Sequence, residues 1–390
     1  MTTLGAIRYG GFDGRASALR DSWHAPMMGM PAIRYRKPPY ATAPGVSNDP
    51  LIYSDNLQNT ADMQIEMARR CGIDYFAFDY YPTCPGYPLG GQRTIQLPLM
   101  DGFQYYLSSS NRSGVKFCLA LIGPFMRLSD PETPPWSQSN WAIIQADIVA
   151  KVQHPDYMKV LGGRPLIFLN DTPNFIAGYS GGAAFTNIAS LKSAILAATG
   201  HNPYIATCDG SDTTDGNMIA LGLHALSAYH VDATRAAGQY PYSTLTSDAA
   251  AYWAAQLATT RNVIPLAQAG WDYSGHNNSE YSARYGALPF VPFGGPAHEY
   301  NTPGHRFVRC TPEQLATHVQ SALAFCAANP AATPADTVLI YAWDELSEGG
   351  WIVPTTDDGG MNLQNIARQL GKQREPVRTL RARGIPFTTR

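Results

Sequence analysis

Glu345 and Glu348 are the residues whose types and spacing most directly offer chemistry. They lie in Tyr341-Ala342-Trp343-Asp344-Glu345-Leu346-Ser347-Glu348-Gly349-Gly350, directly after the apolar run Val338 to Tyr341. An apolar run of that length reads as a buried strand. Carboxylates delivered at the C-terminal end of a buried strand are how α/β barrels build active sites. One carboxyl, kept protonated by burial or by a charged neighbour, can serve as a general acid. A second, ionised, can serve as a base. Paired carboxylates are the minimum equipment for acid/base work on a glycosidic bond. The plainer reading is a loop with two solvated acids. The strand before the pair, Trp343 beside it and the glycines after it weigh against that.

Other candidates fall at equivalent places. Trp271-Asp272 follows the seventh apolar run, with Gly270 before it and His276 soon after. Trp271 is either a sugar platform or a lid on the core, and Asp272 binds a hydroxyl or caps the loop. Asp79-Tyr80-Tyr81 ends the second run as a hydroxyl-binding edge, or Asp79 caps a turn before Pro82. Asn170, Asp209 and Tyr229-His230 follow the fourth, fifth and sixth runs. With Trp343 and Asp344 these residues form the expected substrate-binding rim. Other chemistries lack their motifs. The nine histidines contain no HExxH or HxH pair, and the chain has no P-loop or CxxC. No metal and no cofactor is expected. Asp357-Asp358 is similar to the acidic pair of metal-dependent glycosyltransferases, but its place in a Thr/Gly-rich turn weighs against that role.

The elements that must position these residues follow from hydrophobic patterning. Eight strand-like runs lie near Ala6–Tyr9, Tyr75–Asp79, Lys116–Ile122, Pro165–Leu169, Tyr204–Thr207, His224–Tyr229, Val263–Ala267 and Val338–Trp343. Helical patterns separate most of them: Thr60 to Arg70, Ala183 to Ala198, a helix opened by the capping box Thr311-Pro312-Glu313-Gln314, and Asn362 to Leu370. Alternation of this kind implies a parallel sheet, and eight alternations favour a closed (β/α)8 barrel. Several helix-to-strand joints are short, whereas strand-to-helix joints such as Gly10–Gln58 and Gln268–Cys310 are long. Long connections are usually functional, and in a barrel these fall on the catalytic face. The rival open sheet calls for GxGxxG after the first strand, and Tyr9-Gly10-Gly11-Phe12-Asp13-Gly14 lacks it. Residues 1–371 are expected to form one barrel with long βα loops, and 372–390 a solvated basic tail.

Composition narrows the partners. Net charge is −2, so no basic field draws nucleic acid or an anionic membrane. No apolar stretch is long enough to suggest a transmembrane helix. Tyr and Trp are plentiful beside a charged fraction of 15%, which suits a surface that stacks on sugars as well as a large core. The start of the chain shows no signal-peptide pattern, and a cytoplasmic location is the expectation. Most of the six cysteines are expected to be buried free thiols.

Trp343-Asp344-Glu345-Leu346-Ser347-Glu348-Gly349, continuing to Val353-Pro354, resembles the Trp-Asn-Glu-Trp-x-Glu-Gly…Glu-Pro signature of glycoside hydrolase family 99 and its bacterial relatives. Met67 to Phe76 with Tyr80-Tyr81, His154 to Leu166, and Gly270-Trp271-Asp272 are similar to other parts of that family in the same order. A related α-1,3-glucanase family, with an acidic pair at the corresponding strand, fits nearly as well. The family 99 resemblance implies a (β/α)8 barrel and a retaining glycosidase acting on a glycan. It also implies roles: Glu345 as the base that deprotonates a sugar 2-hydroxyl to form a 1,2-anhydro sugar, and Glu348 as the general acid. The chain departs from the pattern at Asp344, where the family has Asn, and at Leu346, where it has Trp. The Glu before Pro354 is also missing. A carbohydrate-recognition module without turnover, or a glycosyltransferase of polysaccharide assembly, are the alternative readings.

Overall fold

The computed structural model describes residues 2–9, 58–81, 96–123, 138–177, 179, 182–209, 214–231, 233, 235–259, 261–272, 305–346, 348–355 and 360–371. His276, Cys84, Asp357-Asp358 and the 372–390 tail lie outside them.

The architecture is a parallel barrel wrapped by helices. Seven barrel strands are regular: β1 (Thr3–Arg8), β2 (Tyr75–Tyr80), β3 (Lys116–Ile122), β4 (Arg164–Asn170), β5 (Tyr204–Thr207), β6 (Leu266–Gln268) and β7 (Thr337–Tyr341). They pair in parallel in the order β6-β7-β1-β2-β3-β4-β5. The sixth run expected from the sequence closes the ring in a looser form. It bridges Ala206 to Ala225 on one side and Leu226 to Val263 on the other. His224 N donates to Ile205 O, and Ile264 N donates to Leu226 O. The expected (β/α)8 topology is therefore present.

Strand alternation decides which side chains reach the interior. Tyr75 projects inward and its hydroxyl lies 3.1 Å from Thr337 Oγ1 across the barrel. Gly5 makes room for it, since a Cβ there would stand 2.0 Å from the Tyr75 ring. Asp79, four residues on, shares this inward set at the C-terminal end. The alternate residues Phe76 and Phe78 face outward and pack on Tyr106 and Phe103 of the Gln96–Ser108 helix. The core is thus two-layered, lumen and strand-helix interface.

The helices read from the sequence form with small extensions, over Gln58–Cys71, Ala183–Thr199, Pro312–Ala328 and Met361–Gln369. Thr311 and Gln314 make the reciprocal capping box. The described cysteines Cys71, Cys118, Cys208, Cys310 and Cys326 are buried free thiols. Among the described residues, no helix is long and apolar enough to cross a membrane.

Candidate active site

The site forms where β2, β7, the 224–229 segment and β6 end together. β7 leads into Ala342-Trp343 through a cis Tyr341–Ala342 peptide. Trp343 N donates to Ile7 O of β1 at 2.6 Å, and Asp344–Glu345 pairs antiparallel with Gly350–Trp351. The loop carrying both glutamates is therefore a short hairpin tied to the barrel rim. It is also tied to the next strand end, because Asp272 N donates to Glu348 O at 2.6 Å. Gly349, at φ +83, permits this approach: a Cβ there would stand 2.5 Å from Asp272 N.

Tyr229 is the hub. Its hydroxyl lies 2.9 Å from Asp79 Oδ2 and makes a short hydrogen bond with Glu345 Oε1. Tyr341 donates its hydroxyl to Glu348 Oε2 at 2.5 Å. The two phenol rings touch, with centroids 5.1 Å apart at 62°. Each glutamate is thus met by its own tyrosine, and the tyrosines pack on each other. Burial pushes the Glu345 carboxyl well above its ordinary range, and the charges of Glu348 and Asp79 push the same way. Asp79 is raised well above its usual value, first by burial and then by Asp344 and Glu348, against the lowering effect of Tyr229. Acids whose environments perturb them this strongly mark functional sites.

The remaining rim candidates divide. His230 stacks on Trp271 with centroids 3.7 Å apart at 11°, and Trp271 lies 5.6 Å from Tyr341. One face of Trp271 is therefore covered by a protein ring, and the residue is buried, which makes it part of the cluster rather than an open platform. Asp272 is half-buried beside the glutamate hairpin. Tyr81 is buried edge-on to Tyr9, with centroids 6.4 Å apart.

Three expected rim residues turn away from the interior. Tyr80 alternates outward from Asp79, and its hydroxyl bonds Asp147 on the Gln138–Val152 helix beneath Lys151. Trp343 is fully buried against Phe76, 5.0 Å away, in the outer aromatic layer. Asp344 is fully buried; its Oδ1 accepts from Tyr9 N at 2.9 Å and its Oδ2 lies 3.8 Å from Arg8 Nε. The contacts described for these three, expected as substrate-binding residues, are packing and anchoring contacts. Asp209 caps the Thr172–Ala177 helix, accepting from Thr172 N at 3.0 and 3.1 Å. Burial pushes its carboxyl up to about 6. Asn170 sits half-buried at the end of β4.

Two contributors escaped the sequence reading. Gln268, wholly buried at the end of β6, takes Val231 N on Oε1 at 2.8 Å and gives Nε2 to Val231 O at 2.9 Å. That double clamp holds the turn bearing Tyr229 and His230. Arg8 sits beside Asp344 with its guanidinium 5.3 Å from both the Phe76 and Phe78 rings. The available signal was a single polar residue ending an apolar run: Leu266-Ala267-Gln268 and Ala6-Ile7-Arg8. No cluster of three or more His, Cys, Asp or Glu able to hold a metal occurs among the described residues.

No family model matches the chain, and no curated protein matches it. Solved structures do. A GH99 endo-α-mannosidase from Bacteroides thetaiotaomicron matches with a TM-score of 0.52 at 12% identity, over 97% of this chain and 98% of that one. The same enzyme in complex with bis-tris-propane matches with a TM-score of 0.55 at 12% identity, over 98% and 99%. At that identity the likeness is one of fold, and it spans both chains almost end to end. The chain therefore shares the (β/α)8 barrel of a family 99 glycoside hydrolase, as its Glu345–Glu348 segment had suggested.

Proposed function

We propose that the protein is a glycoside hydrolase of polysaccharides or oligosaccharides, with Glu345 as base and Glu348 as general acid. The observation that carries this reading is the pair of phenol–carboxyl contacts, Tyr229 on Glu345 and Tyr341 on Glu348, at one end of the barrel. The barrel likeness to a family 99 enzyme supports it. A base works best when its pKa lies near the operating pH, and the raised carboxyl of Glu345 is tuned in that direction. Tyr341 donates to Oε2 of Glu348 and so holds the general acid in place.

Glu345 takes the proton of the sugar 2-hydroxyl, and that oxygen bonds to the anomeric carbon. The bond from that carbon to the leaving oxygen breaks, and Glu348 gives its proton to the leaving oxygen. Water then attacks the anomeric carbon of the anhydro sugar, and the bond from that carbon to the 2-oxygen breaks. Glu348 takes a proton from the water, and Glu345 returns its proton to the 2-oxygen. Both carboxyls end as they began, and the anomeric configuration is retained.

A broad panel of glycans, with products read by mass spectrometry and anomeric configuration by NMR, tests the reading. Cleavage with retention supports it. Binding without any product favours a recognition module instead. Turnover that demands a nucleotide-sugar donor favours a transferase.

A further inference from the structure

The Tyr229 hydroxyl stands between two carboxyl oxygens, Asp79 Oδ2 and Glu345 Oε1. A phenol has one hydrogen to donate. Two ionised carboxylates offer only acceptors, so one of the two contacts would then be a repulsion between lone pairs. Both contacts become hydrogen bonds when one carboxyl carries a proton and donates it to the phenol oxygen. We propose that Asp79 and Glu345 share a single proton through Tyr229, and that it resides on Asp79, leaving Glu345 ionised.

The placement on Asp79 follows from its second oxygen. Asp79 Oδ1 is buried and has no hydrogen-bond partner among the described residues. An ionised carboxylate oxygen without a donor is far costlier to bury than a neutral carbonyl. The chain then runs in one direction: Asp79 O–H donates to Tyr229, and Tyr229 O–H donates to Glu345. The groups acting on this relay are mostly acidic. Glu348 and Asp344 act on both carboxyls, while Tyr81 and Cys208 are neutral neighbours that feel the same field. Arg8, the nearby cation, faces Asp344 on the outer side of the strands. A further negative charge on Asp79 would therefore add repulsion, and burial raises both carboxyls, in keeping with one proton held between them. Asp79 is on this view a positioning residue. It orients Tyr229 so that the phenol donates to Glu345 and keeps that glutamate ionised.

The consequence for catalysis rests on the proposed glycosidase reading. A protonated Glu345 could not take the sugar proton, and the relay prevents that state. The proton inventory can be measured without turnover, so the two readings fail separately. Infrared spectroscopy detects neutral carboxyl groups. The Glu348→Gln protein removes the general acid from the count, and about pH 8 leaves ordinary carboxyls and Asp209 ionised. One neutral-carboxyl band is expected in Glu348→Gln, and it is expected to vanish in Asp79→Asn/Glu348→Gln. Absence of the band in the first protein, or its survival in the second, overturns the proposal. If the Asp79 variant does not fold, Tyr229→Phe in the same background serves instead. Loss of the bridge is expected to shift the band, and an unchanged band overturns the proposal. A blank glycan panel alongside the expected bands leaves the shared proton standing and removes its catalytic role.

Discussion

Arg8 Nε lies 3.8 Å from Asp344 Oδ2, with both side chains wholly out of water. Among the described residues the guanidinium has no hydrogen-bond acceptor, and it rests on Phe76 and Phe78. A charge in that position is tolerable only because its partner and two aromatic faces are present. Asp344 adjoins Glu345, so the pair anchors the residue that carries the base. Removing one partner leaves an uncompensated charge, at a typical cost of about 3–5 kcal/mol. Asp344→Asn and Arg8→Met are each expected to lower the unfolding free energy on that scale. The double variant is expected to lose less than the sum. Strict additivity in denaturant titrations would show that the pair is not coupled.

The catalytic assignment predicts that Glu345→Gln and Glu348→Gln each reduce kcat by about 10²–10⁴-fold. Circular dichroism and thermal unfolding should remain close to the parent. Near-normal turnover by either variant on a substrate found in the glycan panel would sink the assignment.

Gly349→Ala is expected to reduce both stability and activity. Its φ of +83 is strained for a side chain, and the added methyl meets Asp272. Backbone strain of this kind costs about 1–3 kcal/mol. Relief requires the turn to move away from Asp272, which displaces Glu348. A variant with unchanged melting temperature and kcat would refute the tight apposition of these two loops.

Gln268→Leu leaves Val231 N and O buried without partners. Each such group costs about 1–3 kcal/mol. Stability is expected to fall, and kcat to fall further than KM rises, since the turn that positions Tyr229 is freed. Full activity in the variant would show that Tyr229 is held by its own contacts alone.

Acid stability carries its own signature. Burial pushes His224 and His318 down to about 4. Both are neutral in the folded chain and protonated in the unfolded chain below their ordinary value of about 6.5. The unfolded state therefore binds more protons in this window, and the contribution is lost as pH falls from about 6.5 to about 4. Asp209 has the opposite sign, because the folded chain holds its proton up to about 6. His318 stacks on Trp253 at 5.6 Å, and its Nε2 has no hydrogen-bond partner among the described residues. His318→Phe keeps the stack without the titration. Its unfolding free energy should decline less than the parent's between about pH 6.5 and 4.5. An identical decline in both proteins would refute the assignment.

How far the site was legible can be argued residue by residue. Glu345, Glu348, Asp79, Tyr229 and Trp271 could be singled out because each ends a buried run, and barrel strands deliver such residues to one rim. Tyr80, Trp343 and Asp344 obey the same sequence rule and face the other way. Strand alternation sends Tyr80 outward from Asp79, and the anchored hairpin buries Trp343 and Asp344. Gln268 and Arg8 were passed over because their partners, Val231 and Asp344, are remote in sequence.

The order of apolar runs and helices, set by hydrophobic periodicity, was enough by itself to determine the barrel and the end at which its acids gather. Only the tertiary structure decided which acids meet. Glu345 is bridged to Asp79, 266 residues away in the chain, through a phenol from a third segment, and Glu348 receives Tyr341 instead. Such pairings depend on the register of strands and the rotation of a short hairpin. Neither leaves a trace in local residue pattern, because each is fixed by packing among segments that touch only after the barrel has closed.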